Sequence, residues 1–190
     1  MRLTKLECDR ADEFARKIVG NIDNRDFMDS KNAWRSPKKL FDDSSKGKRA
    51  EIFIQNILKA NNIFSTVDFD IYKKGVGDDG DVIVNGKSID VKASSPRARC
   101  LMVEESRVNM WESVQKTPYC LCLVSVDGDD CTYKFGCSYS LFMEKANLLK
   151  RGDFIPNTGV PLKANNYVIS IDKCKTDIND LIKFIERDGC

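Results

Sequence analysis

The chain of 190 residues is 42% hydrophobic and 32% charged, which excludes a disordered, collagen-like or coiled-coil protein and fits one domain with a hydrophobic core. Its 31 Lys and Arg residues nearly balance its 29 Asp and Glu residues, so any basic surface for nucleic acid must be local. Because the chain has no histidine, Ser-His-Asp and Cys-His catalysis and histidine-based zinc sites are excluded within it. General-base chemistry must then come from carboxylates, lysine or metal-bound water.

Targeting signals are absent from the sequence pattern. No run of 18 apolar residues occurs, and the N-terminus becomes charged before an apolar segment can form, so we predict a cytoplasmic protein without membrane spans or a signal peptide. The eight cysteines are scattered and include no C-x₂-C pair. This pattern favours buried reduced thiols over disulfides or a four-cysteine zinc site.

The first part of the chain combines a predicted helix with a basic segment. Apolar residues recur at helical spacing from Asp9 to Gly20, which predicts a helix. Residues 23–49 have few large apolar groups and are predicted to form a loop or arm. Within this segment, positions 31–49 are basic, which suits either phosphate contact or a solvated linker. The Lys and Arg residues of these positions are Lys31, Arg35, Lys38, Lys39, Lys46, Lys48 and Arg49.

The middle of the chain predicts alternating helices and strands. A helix is expected over 45–61, a half-buried strand over 67–71, a hairpin over 81–94, a helix over 104–116 and a central strand over 119–126, which is apolar on both faces. This α-β-β-β-α-β order predicts an α/β fold in which a mixed sheet is flanked by helices.

The remaining residues predict an α/β extension of the same domain. We expect a strand over 132–135, a helix over 139–150, a loop over 151–166, a strand over 167–172 and a final helix capped by Thr176. The chain is thus predicted to be a single domain, 1–190, with an N-terminal extension (1–45), a core (46–126) and a C-terminal extension (127–190).

The predicted hairpin over 81–94 contains the main candidate functional residues. Asn85-Gly86 is the strongest two-residue turn signal in the chain and favours a type I′ turn. In that register Val84 pairs with Lys87, Ile83 with Ser88, Val82 with Ile89 and Asp81 with Asp90. Because side chains alternate along a strand, Asp81, Asp90 and Lys92 then share one face and the apolar residues share the other.

Two aspartates that face each other across a sheet destabilise it. The arrangement is explained if a hard divalent cation such as Mg²⁺ binds Asp81, Asp90 and the carbonyl oxygen of Val91. Lys92 could then orient or deprotonate a water molecule, or stabilise charge that develops on a phosphate. The alternative is an ordinary polar hairpin face in which Lys92 pairs with the aspartates.

Asp81, an eight-residue spacer and Asp90-Val91-Lys92 resemble the signature of the PD-(D/E)xK nuclease superfamily, which has the restriction-endonuclease-like fold. Gly80 stands where the signature has proline, and Asp90 stands where glutamate is commoner. The resemblance implies that Glu51, on the preceding helix, completes the metal site. It also implies phosphate contacts from residues after the site strand, namely Ser94, Ser95, Arg97 and Arg99, with Arg107 and Asn109 as further candidates.

The resulting functional expectation is a Mg²⁺-dependent endonuclease of the restriction type, active on double-stranded DNA as a homodimer, with Mn²⁺ able to replace Mg²⁺. From the basic segment, Lys38, Lys39, Lys48 and Arg49 are expected to contact the nucleic acid. The alternatives are a structure-specific repair or junction nuclease, a non-catalytic nucleic-acid-binding module with a vestigial site, and an interaction domain stabilised by zinc.

Overall fold

A computed structural model describes residues 1–20, 36–71, 81–156, 158–173 and 177–187. The helices are α1 (Lys5–Gly20), α2 (Pro37–Ala60), α3 (Glu105–Ser113), α4 (Tyr139–Lys145) and α5 (Ile178–Arg187), with a short 3₁₀ turn at Ile171–Lys173. The strands are β1 (Thr66–Val67), β2 (Val82–Val84), β3 (Lys87–Ser94), β4 (Cys100–Glu104), β5 (Cys120–Asp127), β6 (Asp130–Ser138), β7 (Asn147–Leu149) and β8 (Asn166–Ser170).

The strands form two sheets. The larger sheet has the order β1-β2-β3-β5-β6, and the smaller one has the order β4-β8-β7. In the larger sheet β3 and β5 run parallel, whereas the other neighbours are antiparallel. The molecule is therefore an α/β protein with a mixed sheet flanked by helices, as the element order predicts.

The larger sheet is covered on both faces. One face packs against α1, α2 and α5, in a core that includes Ile54 of α2 and Val91 of β3. The opposite face packs against α3, α4 and the smaller sheet, in a core that includes Trp111 and Phe142. The central strand β5 is buried from Cys120 to Val126, which confirms the prediction from its continuous apolar run.

The smaller sheet and the residue before β8 fix the start of α3. Strand β4 pairs with β8 over all five of its residues. Directly after β4, the backbone N–H of Glu105 donates to the carbonyl of Asn165 at 3.1 Å, and the amide of Asn165 donates to the Glu105 carboxylate at 2.7 Å. The first turn of α3 is thus tied to the segment that precedes β8.

The predicted arm over residues 23–49 is wrong for its second half. Helix α2 begins at Pro37, and the hydroxyl oxygen of Ser36 caps it by accepting from the backbone N–H of Lys39 at 3.1 Å. A serine N-cap followed by proline at the first helical position is a strong start signal. Residues 21–35, which include Lys31 and Arg35, lie outside the described residues.

Several short elements also differ from prediction. The strand expected over 67–71 is limited to Thr66–Val67, and the helix expected over 139–150 ends at Lys145 and is followed by β7. Strand β4 was not predicted at all. The cap expected from Thr176 lies outside the described residues, although α5 buries its apolar face through Leu181, Ile182 and Ile185. Strands of three to five residues give too little periodicity to be recognised reliably.

Six of the eight cysteines lie in the described part of the chain, and all six are buried free thiols: Cys8, Cys100, Cys120, Cys122, Cys131 and Cys137. Burial is the main cause that raises the pKa of the Cys131 thiol to about 11. A helix with the length and apolar character needed to cross a membrane is not found among the described residues.

Two glycines should respond oppositely to alanine. Gly47 lies within α2 and has open space around the position of a Cβ atom, so Gly47→Ala should raise the free energy of unfolding by about 0.5–1 kcal/mol. At Gly136 of β6 a Cβ would lie 2.6 Å from the Tyr133 hydroxyl oxygen and 2.9 Å from the Leu121 carbonyl oxygen. Because the Leu121 carbonyl belongs to the backbone of the central strand β5, Gly136→Ala should lower the free energy of unfolding by about 1–3 kcal/mol. Urea denaturation measures the free energy of unfolding of both variants. The same change in both would contradict this packing.

Candidate active site

The hairpin has the predicted register. Val82 pairs with Ile89, Ile83 with Ser88 and Val84 with Lys87. Asn85 and Gly86 have φ angles of 49° and 75°, and positive φ at both central residues is what a type I′ turn requires. The turn chemistry of Asn-Gly therefore fixed which residues of β2 and β3 oppose each other.

Asp90 and Lys92 lie on the face of the sheet that α3 covers. In the parallel ladder they pair with Leu121 and Leu123, both of which belong to the core beneath α3. The Lys92 ammonium group donates to Asp90 Oδ1 at 2.8 Å. The Asp90 side chain is 6% exposed and that of Lys92 is 31% exposed, so the pair is buried at the carboxylate and reaches solvent at the lysine.

Asp81 directly precedes β2, beside the same pair, and the paired residues of the ladder end at Val82 and Ile89 without including the predicted pair of Asp81 and Asp90. Its Oδ2 accepts a hydrogen bond of 2.6 Å from the backbone N–H of Val91. In an extended strand the N–H and C=O of one residue point towards the same neighbour, so the Val91 carbonyl faces the edge where Asp81 lies. The structure thus brings together Asp81, Asp90, Val91 and Lys92.

The charge of Lys92 is set by its surroundings. Burial alone would lower the pKa of its ammonium group, but the negative charges of Asp90 and Asp81 and the hydrogen bond to Asp90 outweigh burial and the opposing charge of Arg107. The net effect raises the pKa of Lys92 above its ordinary value. Lys92 is therefore a cation at neutral pH and contributes charge and hydrogen-bond donors at this site.

The second carboxylate oxygen of Asp90 indicates what the site can bind. Asp90 Oδ2 is buried and has no hydrogen-bond partner within the described residues. A buried carboxylate oxygen without a donor costs free energy, and a cation is the natural group to satisfy it. Two carboxylates and a backbone carbonyl suit Mg²⁺, which uses one or two protein carboxylates, keeps several waters and also binds phosphate oxygens.

Glu51 lies away from this group. Helix α2 packs against the face of the sheet to which Val91 contributes, whereas Asp90 and Lys92 point to the opposite face. The Glu51 carboxylate is buried and accepts from the Lys48 ammonium group at 2.5 Å. Over the ranges that the structure describes, no three His, Cys, Asp or Glu side chains form a metal-binding group. The structure therefore does not bring Glu51 together with Asp81 and Asp90, although the resemblance implied a shared metal site.

Two of the four basic residues predicted to contact nucleic acid, Lys48 and Arg49, instead pair with carboxylates inside the fold. Lys48 is 6% exposed, and its ammonium group also donates to the carbonyl of Asp68. Arg49 forms ion pairs with Asp12 at 3.1 Å and Asp129 at 2.9 Å. Both side chains hold elements of the fold together, which corrects their assignment to a nucleic-acid surface.

The other predicted basic contacts remain on the surface. Lys38 and Lys39 are exposed in the first turn of α2, where Lys39 pairs with Asp43 at 2.6 Å. Ser94, the last residue of β3, donates its hydroxyl to the carbonyl of Val124 at 3.1 Å, and the segment that follows exposes Ser95, Arg97 and Arg99.

Trp111 of α3 is a core residue that also contacts the site. The Lys92 ammonium nitrogen lies 5.8 Å from the centroid of the Trp111 ring, and Arg107 Cζ lies 5.4 Å from it. Asn109 is exposed on α3. Helical spacing could have shown that Arg107 and Trp111 share a face, but not that this face meets Lys92.

Comparison with known proteins adds no identification. No model of a protein family matches the chain, and no curated protein matches it.

Arg49 offers a test of the corrected basic surface. Arg49→Gln should lower the free energy of unfolding by about 1–3 kcal/mol, because it removes the ion pairs with the partly buried Asp12 and Asp129 carboxylates. Lys39→Gln removes an exposed pair on the same helix and should change stability by less than about 0.5 kcal/mol. Urea denaturation compares the two. A dependence of DNA affinity on salt that flattens in Arg49→Gln would instead return Arg49 to the nucleic-acid surface.

Proposed function

We propose that this protein is a Mg²⁺-dependent endonuclease that hydrolyses phosphodiester bonds of DNA. The observation that carries the proposal is the Asp90 carboxylate, which is buried, bound to Lys92 through Oδ1 and without a hydrogen-bond donor at Oδ2 within the described residues. Asp81 and the carbonyl edge of Val91 adjoin it. Together they provide a place for a hard cation next to a fixed positive charge.

Each group has a role in the proposed reaction. Asp81, Asp90 and the Val91 carbonyl would hold Mg²⁺ (or Mn²⁺), which when bound supplies a polarised phosphate oxygen and an activated water. Lys92 would donate hydrogen bonds to the attacking water or to a phosphate oxygen. Its positive charge would stabilise the negative charge that develops on the phosphate. The exposed Arg97 and Arg99, with Ser95, would contact neighbouring phosphates of the strand.

The arrangement of elements supports a finer assignment within the proposal. A helix, a hairpin that carries the acidic residues, and a parallel strand reached through a second helix match the restriction-endonuclease-like core that the Asp-x₈-Asp-x-Lys motif resembles. Cutting both strands of a duplex with one such site per chain requires two copies, so the proposal includes a homodimer that acts on double-stranded DNA.

Cleavage assays test this function directly. The protein is incubated with supercoiled, linear, branched and single-stranded DNA in Mg²⁺, Mn²⁺, Ca²⁺ or EDTA. We expect cleavage in Mg²⁺ and Mn²⁺, binding with poor turnover in Ca²⁺, and no cleavage in EDTA. Preference for branched DNA would favour the repair or junction nuclease, and tight binding without cleavage in any metal would favour the non-catalytic module. Full activity in EDTA would contradict the metal site.

A further inference from the structure

Helix α3 presents two residues to Lys92, and they are one helical turn apart. Arg107 and Trp111 occupy positions i and i+4, which lie on the same side of a helix. The guanidinium carbon of Arg107 and the ammonium nitrogen of Lys92 lie 5.4 Å and 5.8 Å from the centroid of the Trp111 ring. One indole, 6% exposed, therefore holds two cations at the edge of the site.

The charges of these side chains suggest why two cations are present. Asp81 and Asp90 carry two negative charges, and Lys92 and Arg107 carry two positive charges, so the four side chains are neutral together. A bound Mg²⁺ would then give the site a double positive charge. A phosphodiester under attack by water or hydroxide develops a second negative charge. With Arg107, the double positive charge of the site with bound Mg²⁺ equals the double negative charge of the phosphate under attack. Without Arg107 the site would have one positive charge less.

The chemistry of arginine suits this place. The planar guanidinium presents several donors in a fork that fits two oxygens of one phosphate, whereas lysine offers a point charge. Arg107 is half-buried, so it is partly shielded from water and still reaches the surface beside the exposed end of Lys92. Arg10 of α1 lies 4.5 Å from the centroid of the Phe69 ring, but α1 covers the opposite face of the sheet, so an aromatic contact alone does not place an arginine beside Lys92.

We propose that Arg107 binds the same phosphate that faces Lys92, and that Trp111 is a positioning residue that holds both cations in place. This inference rests on the proposed nuclease function and deepens it, because it names the second cation at the reacting phosphate. Arg107 makes and breaks no covalent bond. It binds non-bridging oxygens of the phosphodiester, more tightly as their charge increases during hydrolysis.

The test compares Arg107→Gln, Arg107→Lys and the matched control Arg10→Gln, which also removes an arginine from an aromatic ring, with thermal melts to show that each is folded. Cleavage is measured in single turnover with Mg²⁺ at saturating DNA, and duplex affinity is measured in Ca²⁺. We expect Arg107→Gln to lower the cleavage rate by about 100-fold and the affinity by only a few-fold. Arg107→Lys should recover part of the rate, and Arg10→Gln should leave the rate unchanged.

Trp111→Phe adds a readout that a purely structural role would not give. We expect it to lower the saturated cleavage rate with little change in affinity, and we expect Arg107→Gln to cost less in the Trp111→Phe background than in the parent, because the two residues act together. Additive effects would show that Trp111 does not position Arg107.

The outcomes separate this inference from the proposed function. If the parent protein cleaves DNA and Arg107→Gln cleaves equally fast, the inference is overturned while the nuclease proposal stands. Loss of affinity alone, with an unchanged saturated rate, also overturns it, because Arg107 would then contact DNA away from the reacting phosphate. A parent protein that cleaves no DNA in any metal overturns the nuclease proposal, and the role of Arg107 falls with it.

Discussion

Lys92→Met is expected to lower DNA cleavage by at least about 100-fold while DNA affinity changes only a few-fold. The reason is that Lys92 would stabilise charge that appears during the reaction, whereas a single lysine among several phosphate contacts adds little to affinity. Single-turnover cleavage and filter binding measure the two effects. Cleavage at the parent rate would show that Lys92 serves only as the structural partner of Asp90.

The same variant should also be less stable in EDTA. Asp90 is 4% exposed, and without Lys92 its carboxylate loses both its ion-pair partner and the donor at Oδ1, which should cost about 1–3 kcal/mol. Adding Asp90→Asn to Lys92→Met removes that charge and should restore part of the loss. Lys5→Met is the matched control, since Lys5 pairs with Asp9 at the same distance of 2.8 Å but on an exposed surface. Its effect should be much smaller than that of Lys92→Met, because water screens an exposed ion pair.

Asp90→Asn is expected to abolish both cleavage and stabilisation by Mg²⁺. A cation that binds only the folded protein raises the free energy of unfolding with its concentration, by about 2.7 kcal/mol at one hundred times its Kd. The parent should therefore melt at a higher temperature as Mg²⁺ increases, and Asp90→Asn should not. In EDTA the two proteins should differ by less than about 1 kcal/mol, because loss of the ion pair with Lys92 is offset by removal of an incompletely paired buried charge.

Asp9→Asn controls for charge removal at an exposed ion pair and should keep the full response to Mg²⁺. A Mg²⁺-dependent rise in melting temperature that survives in Asp90→Asn would contradict a cation site at Asp90, even if cleavage were lost.

The hairpin shows what local sequence can determine. Asn85-Gly86 specifies a turn with two positive φ angles, and a two-residue turn fixes the register of every residue that follows. The shared face of Asp90 and Lys92 then follows from the alternation of side chains, without knowledge of the rest of the fold. The apolar run of β5 similarly predicted burial on both faces.

Glu51 and Arg107 show where local sequence is insufficient. Both positions belong to predicted helices, but the face of the sheet that each helix covers is decided by tertiary packing. Helix α2 covers the face opposite Asp90, which separates Glu51 from the site, and α3 covers the same face, which brings Arg107 to it. The start of α2 was mispredicted for a different reason. The Ser36-Pro37 signal is local and was visible in the sequence, but few large apolar residues follow it, so the segment resembled a loop.

The ladder between β4 and β8 has a consequence for how a substrate is received. Because β4 leads directly into α3, five paired residues and the Glu105–Asn165 contacts anchor the helix only two residues before Arg107. The wall that faces Asp90 and Lys92 is therefore preorganised during folding. Under the proposed function, a phosphate that enters between α3 and β3 would meet groups already in position, so the free-energy cost of reorganisation would fall on the nucleic acid.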